Sequence, residues 1–147
     1  MDRRRFLETT LLAGLASRAF GATTEADSFD FAYLTDIHVQ PELGAPEGFR
    51  QCLRAVNALA RPADFVLTGG DLIFDALDVG MDRIREQWRI FDECSKELAL
   101  PVHHAIGNHD VVGWSAKSVV KPTDQDYGKK LFAERFVLAP PYRSFDH

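Results

Sequence analysis

The sequence holds only two cysteines, has no glycine-rich phosphate cradle, and carries no apolar run long enough to cross a bilayer. Positive charge is also scarce: 17 Lys and Arg stand against 22 Asp and Glu, a formal net charge of −5. Each shortage removes a class of function. A protein that tracks a nucleic-acid backbone needs a basic face, so no stable nucleic-acid complex is expected. The acidic balance does not oppose a cation site, because carboxylates that hold metal ions add to the negative count. Cys52 and Cys94 match no zinc or redox spacing and fall in helix-like segments, which predicts two small buried hydrophobes. A disulfide between them is the alternative if the chain is exported. Residues 36–40 read Asp-Ile-His-Val-Gln where a dinucleotide fold wants Gly-x-Gly-x-x-Gly, which sets that fold aside. What remains is a globular composition, 46% hydrophobic and 27% charged, of a length that suits one domain.

The first 22 residues read as a processing segment rather than as part of the fold. Arg3, Arg4 and Arg5 precede a short, moderately apolar stretch, and small residues follow at 19–22. The segment resembles the twin-arginine export signal, with Arg3, Arg4, Phe6 and Leu7 on the pattern and Asp2 and Glu8 departing from its usual flanks. The expected partner is the twin-arginine export machinery, and the expected location is periplasmic or extracellular. Cleavage near Gly21 or Ala22 would leave a domain over residues 29–147.

Three apolar, β-favouring runs follow, at 29–36, 64–68 and 102–106. Between the first two, Phe49, Cys52, Leu53, Val56, Leu59 and Ala60 form a helical stripe after a Pro/Gly loop at 40–48, and Pro62 stops it. Between the second and third, Ile84, Trp88, Phe91 and Leu98 predict a longer helix, with Trp88 and Phe91 as core. A last helix is expected over 127–136. Alternating strand and helix, with strands buried on both faces, predicts an α/β fold with a parallel sheet. Ligands of such sheets gather outside the carboxyl ends of the strands.

Each apolar run ends in coordinating residues: Asp36-Ile37-His38, then Gly70-Asp71, then Gly107-Asn108-His109-Asp110. In extended backbone Asp36 and His38 point the same way. Neighbouring strand tips lie about 5 Å apart, close enough for one Asp to serve two cations. Carboxylate, imidazole and amide oxygen together suit Mn, Fe or Zn better than a thiolate-selected ion.

These three clusters resemble the signature of the calcineurin-like metallophosphoesterase superfamily: Asp-x-His, Gly-Asp, then Gly-Asn-His-Asp/Glu. The resemblance covers roughly residues 30–110. It implies that Asp36 and His38 bind a first metal ion, Asp71 bridges two, and Asn108 binds the second. His109 would act on the substrate as a catalytic residue, with Asp110 as its orienting partner. The implied reaction is hydrolysis of a phosphomonoester or phosphodiester, small-molecule or nucleotide, by a dinuclear-metal-activated hydroxide. The implied fold is a four-layer α/β/β/α sandwich, of which this chain supplies the N-terminal half. Three later histidine ligands of the family have no counterpart after Asp110, since the lone His147 reads as a strand or loop residue. The chain alone is therefore expected to hold a metal weakly and catalyse little. A non-catalytic metal-binding scaffold of the same fold is the alternative.

Other residues invite a role. His103 and His104 should face opposite sides of a strand, one of them packed in the core. Asp75 is a loop carboxylate or a hydrogen-bond partner behind the site. Trp114, Lys117 and Lys121 lie on the excursion beyond the third cluster, where a substrate-shaping rim would sit.

Overall fold

The structure is a computed structural model that describes residues 28–138, 140, 142 and 144–146. The export signal expected at 1–22 and the terminal His147 lie outside the described residues. Three strands form a parallel sheet in the order β1 (Phe31–Leu34), β2 (Phe65–Thr68), β3 (Val102–His104). Helices α1 (Ala45–Asn57) and α2 (Met81–Ser95) connect them, and α3 (Lys130–Arg135) follows the excursion. The parallel α/β expectation holds.

The elements differ from expectation at their ends for physical reasons. Helix α1 begins at Ala45 rather than after the Pro/Gly stretch, because Pro46 sits in the first turn, where its missing N–H costs no bond. Its buried stripe is Phe49, Leu53 and Val56. Cys52, about 100° around the helix from Leu53, is exposed, against the expectation of burial; Cys94 on α2 is buried, and both are free thiols. Strand β1 stops at Leu34, two residues early, and β3 at His104. Helix α3 is six residues, shorter than expected, and Leu98 falls beyond the end of α2.

The two long helices pack on one side of the sheet. Phe49 stacks on Phe91 at 5.5 Å, and Trp88 meets Phe91 edge-on at 5.6 Å. Phe91 in turn faces His104 of β3 at 5.8 Å. The other side of the sheet was expected to be buried too. Instead Phe31 is 49% and Tyr33 60% exposed, alternating with the half-buried Ala32 and Leu34. Phe145 covers part of this side, stacking on His103 at 3.8 Å. The described residues thus build one helical layer and one sheet, two of the four layers the resemblance implies.

The helix side of the sheet carries the stability. Phe91→Ala is expected to cost about 3–5 kcal/mol, the range for emptying a buried aromatic site. Phe31→Ala on the open side should cost under about 1 kcal/mol. Urea unfolding of the two variants checks the contrast.

Candidate metal centre

The three clusters do meet at the carboxyl ends of the strands, and the backbone brings them there. Past Leu34 and Thr68 the chains stay paired: Asp36 N–H donates to Gly70 O at 3.2 Å, His38 N–H to Asp71 O at 2.9 Å and Val39 N–H to Leu72 O at 3.1 Å. A parallel bridge between Val39 and Ile73 closes this extension. The segment is not extended strand, however. Asp36, His38 and Asp71 have φ of 54°, 47° and 51°, in the left-handed region that side chains disfavour. Asp36 and His38 converge through two left-handed residues with Ile37 turned to the core between them, not through the pleat of a strand. Such strain persists only where surrounding bonds over-determine it, as this ladder does.

The third cluster is fastened to the second. His109 N–H donates to Asp71 Oδ1 at 2.8 Å, and Ala76 N–H donates to His109 O at 2.9 Å. The crossing needs glycine twice. A Cβ on Gly107 would fall 2.1 Å from Asp71 Oδ1, and one on Gly70, where φ is 92°, would fall 2.3 Å from Gly107 N.

Within this frame one nitrogen or oxygen from each of His38, Asp71 and His109 lies within 4.8 Å of the others. His38 Nε2 is 3.8 Å from Asp71 Oδ2 and 3.8 Å from Asp36 Oδ1. Those gaps are too long for hydrogen bonds. They fit two donors that share a cation at about 2.0–2.2 Å each, which separates the donors by up to about 4 Å. The residues present therefore fit a metal ion. Asp71 is well placed, its side chain only 15% exposed with Oδ1 held and Oδ2 turned to His38. Asp36 stands further out, its side chain 65% exposed and its Oδ2 bonded by the Thr35 hydroxyl at 2.7 Å. Asn108 is exposed beside His109.

The imidazoles of His38 and His109 meet edge to face, 4.6 Å between centroids. His109 Nδ1 lies 2.5 Å from Phe74 O. A carbonyl can only accept, so Nδ1 carries a proton and Nε2 is left for the site.

The expected partnership of Asp110 with the His109 ring is corrected here. Asp110 is fully buried, and its oxygens accept backbone N–H groups from Leu72 (2.9 Å), Ile73 (3.2 Å) and Gly107 (2.9 Å). Burial pushes its carboxyl up to about 6, against the pull of the three N–H groups and with the charge of Asp71 adding to the rise. Its oxygens accept all three of these bonds, the pattern of an ionised carboxylate. It shapes the loops rather than steering the imidazole, and the Phe74 carbonyl takes the orienting position instead. Sequence reasoning passed over Phe74, for which the one signal is an aromatic residue just past Gly-Asp in a loop.

The remaining candidates sort cleanly. His103 and His104 do face opposite sides, and both are packed: His103 on Phe145, His104 on Phe136 at 4.1 Å with Nδ1 3.2 Å from the Thr68 hydroxyl. Asp75 caps its own turn, accepting from Leu77 N–H at 2.6 Å and Asp78 N–H at 3.1 Å. Trp114, Lys117 and Lys121 are exposed on the excursion.

Asp110→Ala leaves the buried N–H groups of Leu72 and Ile73 and the partly buried one of Gly107 without an acceptor, at about 1–3 kcal/mol each. It is expected to lower stability by at least about 3 kcal/mol, read from urea unfolding. A loss within about 0.5 kcal/mol would show that the carboxylate does not hold the loops.

The chain has no significant match among curated proteins. The family model described as calcineurin-like phosphoesterase matches residues 29–146, from the segment leading into β1 to the last described residues, across all three ligand clusters. With the donor groups gathered at the strand ends and that match over most of its length, the chain belongs to the calcineurin-like phosphoesterase family.

Proposed function

We propose that this protein is an exported hydrolase that cleaves phosphomonoesters or phosphodiesters with two bound metal ions. The observation that carries the reading is the convergence of His38, Asp71 and His109 at the carboxyl ends of adjacent parallel strands, one donor atom of each lying within 4.8 Å of the others. Asp36 and His38 would hold the first ion, Asp71 would lie between the two, and Asn108 would reach the second. The oxygen and nitrogen donors favour Mn, Fe or Zn. Bound there, the ions would supply Lewis acidity and the activation of water.

The side chains supply the rest. Asp71 keeps one oxygen on the His109 N–H, so Oδ2 is the oxygen it offers to the site. His109 has its Nδ1 proton committed to Phe74 O, so Nε2, when it too carries a proton, is the atom that would steady charge on the phosphoryl group or pass that proton to the leaving oxygen. The Asp36, His38 and Asp71 backbones are held by the ladder to Gly70, Asp71 and Leu72, so their donors do not need to be gathered when a substrate arrives.

Activity is measured on the purified protein, with Mn²⁺, on bis-p-nitrophenyl phosphate and p-nitrophenyl phosphate. Asp71→Asn and His109→Ala should each lower metal-dependent kcat/KM by about 10²–10³-fold. The rate ratio between the two esters separates diesterase from monoesterase. No turnover on either, with Mn²⁺ demonstrably bound, would favour the scaffold reading.

Export rests on Arg3 and Arg4 with Phe6 and Leu7. No helix among the described residues is long and apolar enough to cross a membrane. The mature N-terminus should lie near Gly21 or Ala22 in the exported fraction. Replacing both arginines, Arg3→Lys with Arg4→Lys, should leave the precursor unprocessed inside the cell. Unchanged processing by N-terminal sequencing would rule out the twin-arginine route.

A further inference from the structure

In the segment after Asp71 the apolar side chains turn inward, with one exception. Leu72, Ile73 and Ala76 are fully buried, whereas Phe74 is 43% exposed. Its ring stands beside the two imidazoles of the metal centre, 6.0 Å from His38 and 6.4 Å from His109 between centroids. A single exposed phenylalanine is ordinary on a protein surface. This one is set apart by how firmly its base is held and by what it faces. Phe74 N–H donates to Val39 O at 3.1 Å, and its carbonyl accepts the His109 Nδ1 proton. The next residue, Asp75, is gripped from the other side by Gln87 of α2, which is 1% exposed. Gln87 Oε1 accepts Asp75 N–H at 2.9 Å, and Gln87 Nε2 donates to Asp75 O at 2.8 Å. The ring is thus presented from a fixed backbone at the edge of the centre.

A phosphoryl group bound at this centre beside His109 would project its ester substituent away from the donors. Phe74 flanks that space. Its ring has no hydrogen bond to offer a polyol or a charged group, and gains most from a flat apolar surface. Aromatic rings pair favourably at 4.5–7 Å between centroids. Resting on the phosphoesterase reading above, we infer that Phe74 is a specificity-determining residue whose ring walls the leaving-group side of the site and selects phosphoesters with an aromatic leaving group. The carbonyl of the same residue seats His109, so one loop position aligns the imidazole and sorts the substrate.

The test is binding rather than turnover. Phenylphosphonate and methylphosphonate share the phosphoryl chemistry and are not esters. Titrated calorimetrically into the Mn²⁺-loaded protein, phenylphosphonate should bind about 3–10-fold more tightly. Phe74→Ala should bring the two affinities together while leaving methylphosphonate unchanged, because the backbone carbonyl to His109 remains. Phe74→Trp should keep the preference, and Phe74→Leu, which retains apolar bulk without the aromatic face, should lose most of it; these two variants carry the comparison if the alanine variant does not fold. Equal affinities in the unaltered protein would overturn the inference. So would a Phe74→Ala variant that weakens both ligands alike, since the ring would then serve only to position His109. Absence of binding by both phosphonates would overturn it as well, whereas turnover of the nitrophenyl esters decides the hydrolase reading separately.

Discussion

An ionised carboxylate removed from water must be solvated by whatever dipoles the fold can aim at it. For Asp110 those dipoles are the N–H groups of Leu72, Ile73 and Gly107, two from the loop after β2 and one from the turn after β3. The same three bonds that solvate the charge therefore staple two loops together. Gly107 and Gly70 come into backbone contact under that staple, and Asp71 is pressed into reach of the His109 N–H. Loosening the carboxylate would release the turn that carries Asn108 and His109 from the loop that carries Asp71. The metal centre depends on a residue that points away from it.

The loop after β1 is attached by a different device. Its main chain continues the parallel ladder past the end of the strand, from Asp36 to Val39. The ladder holds Asp36, His38 and Asp71 in left-handed backbone, a conformation that costs of order 1 kcal/mol or more for each residue. Asp is among the residues that tolerate this region best, and His is also enriched there. A side chain suited to ligation and one suited to this backbone geometry thus coincide at these positions.

Much of this was legible in the residues. The three apolar runs, each ending in coordinating side chains, reveal the parallel sheet and the end of it that matters, but the patterning overstated burial, since Phe31 and Tyr33 lie on an exposed side. Element ends were less legible. Pro46 and Gly48 look like breakers, yet a helix accepts both in its first turn. The route by which Asp36 and His38 converge was hidden, since a two-residue spacing suggests a pleat and cannot disclose a positive φ. Asp110 was read through its neighbour in sequence, His109, when two of its three partners are 37 and 38 residues away at Ile73 and Leu72. Phe74 gave only a faint signal, for a different reason. Its part depends on a carbonyl, and carbonyls have no letter in a sequence.

The main-chain ladder has a consequence for how the candidate centre would meet a metal ion. Sites assembled from mobile loops must lose chain entropy when the ion arrives, and their affinity is reduced by that ordering. Here the backbones of Asp36, His38 and Asp71 are ordered by bonds that belong to the fold itself. Capture of a cation there would be governed by its dehydration and by small rotations of side chains, so the candidate centre would act as an open socket in a standing wall rather than as a clasp that closes.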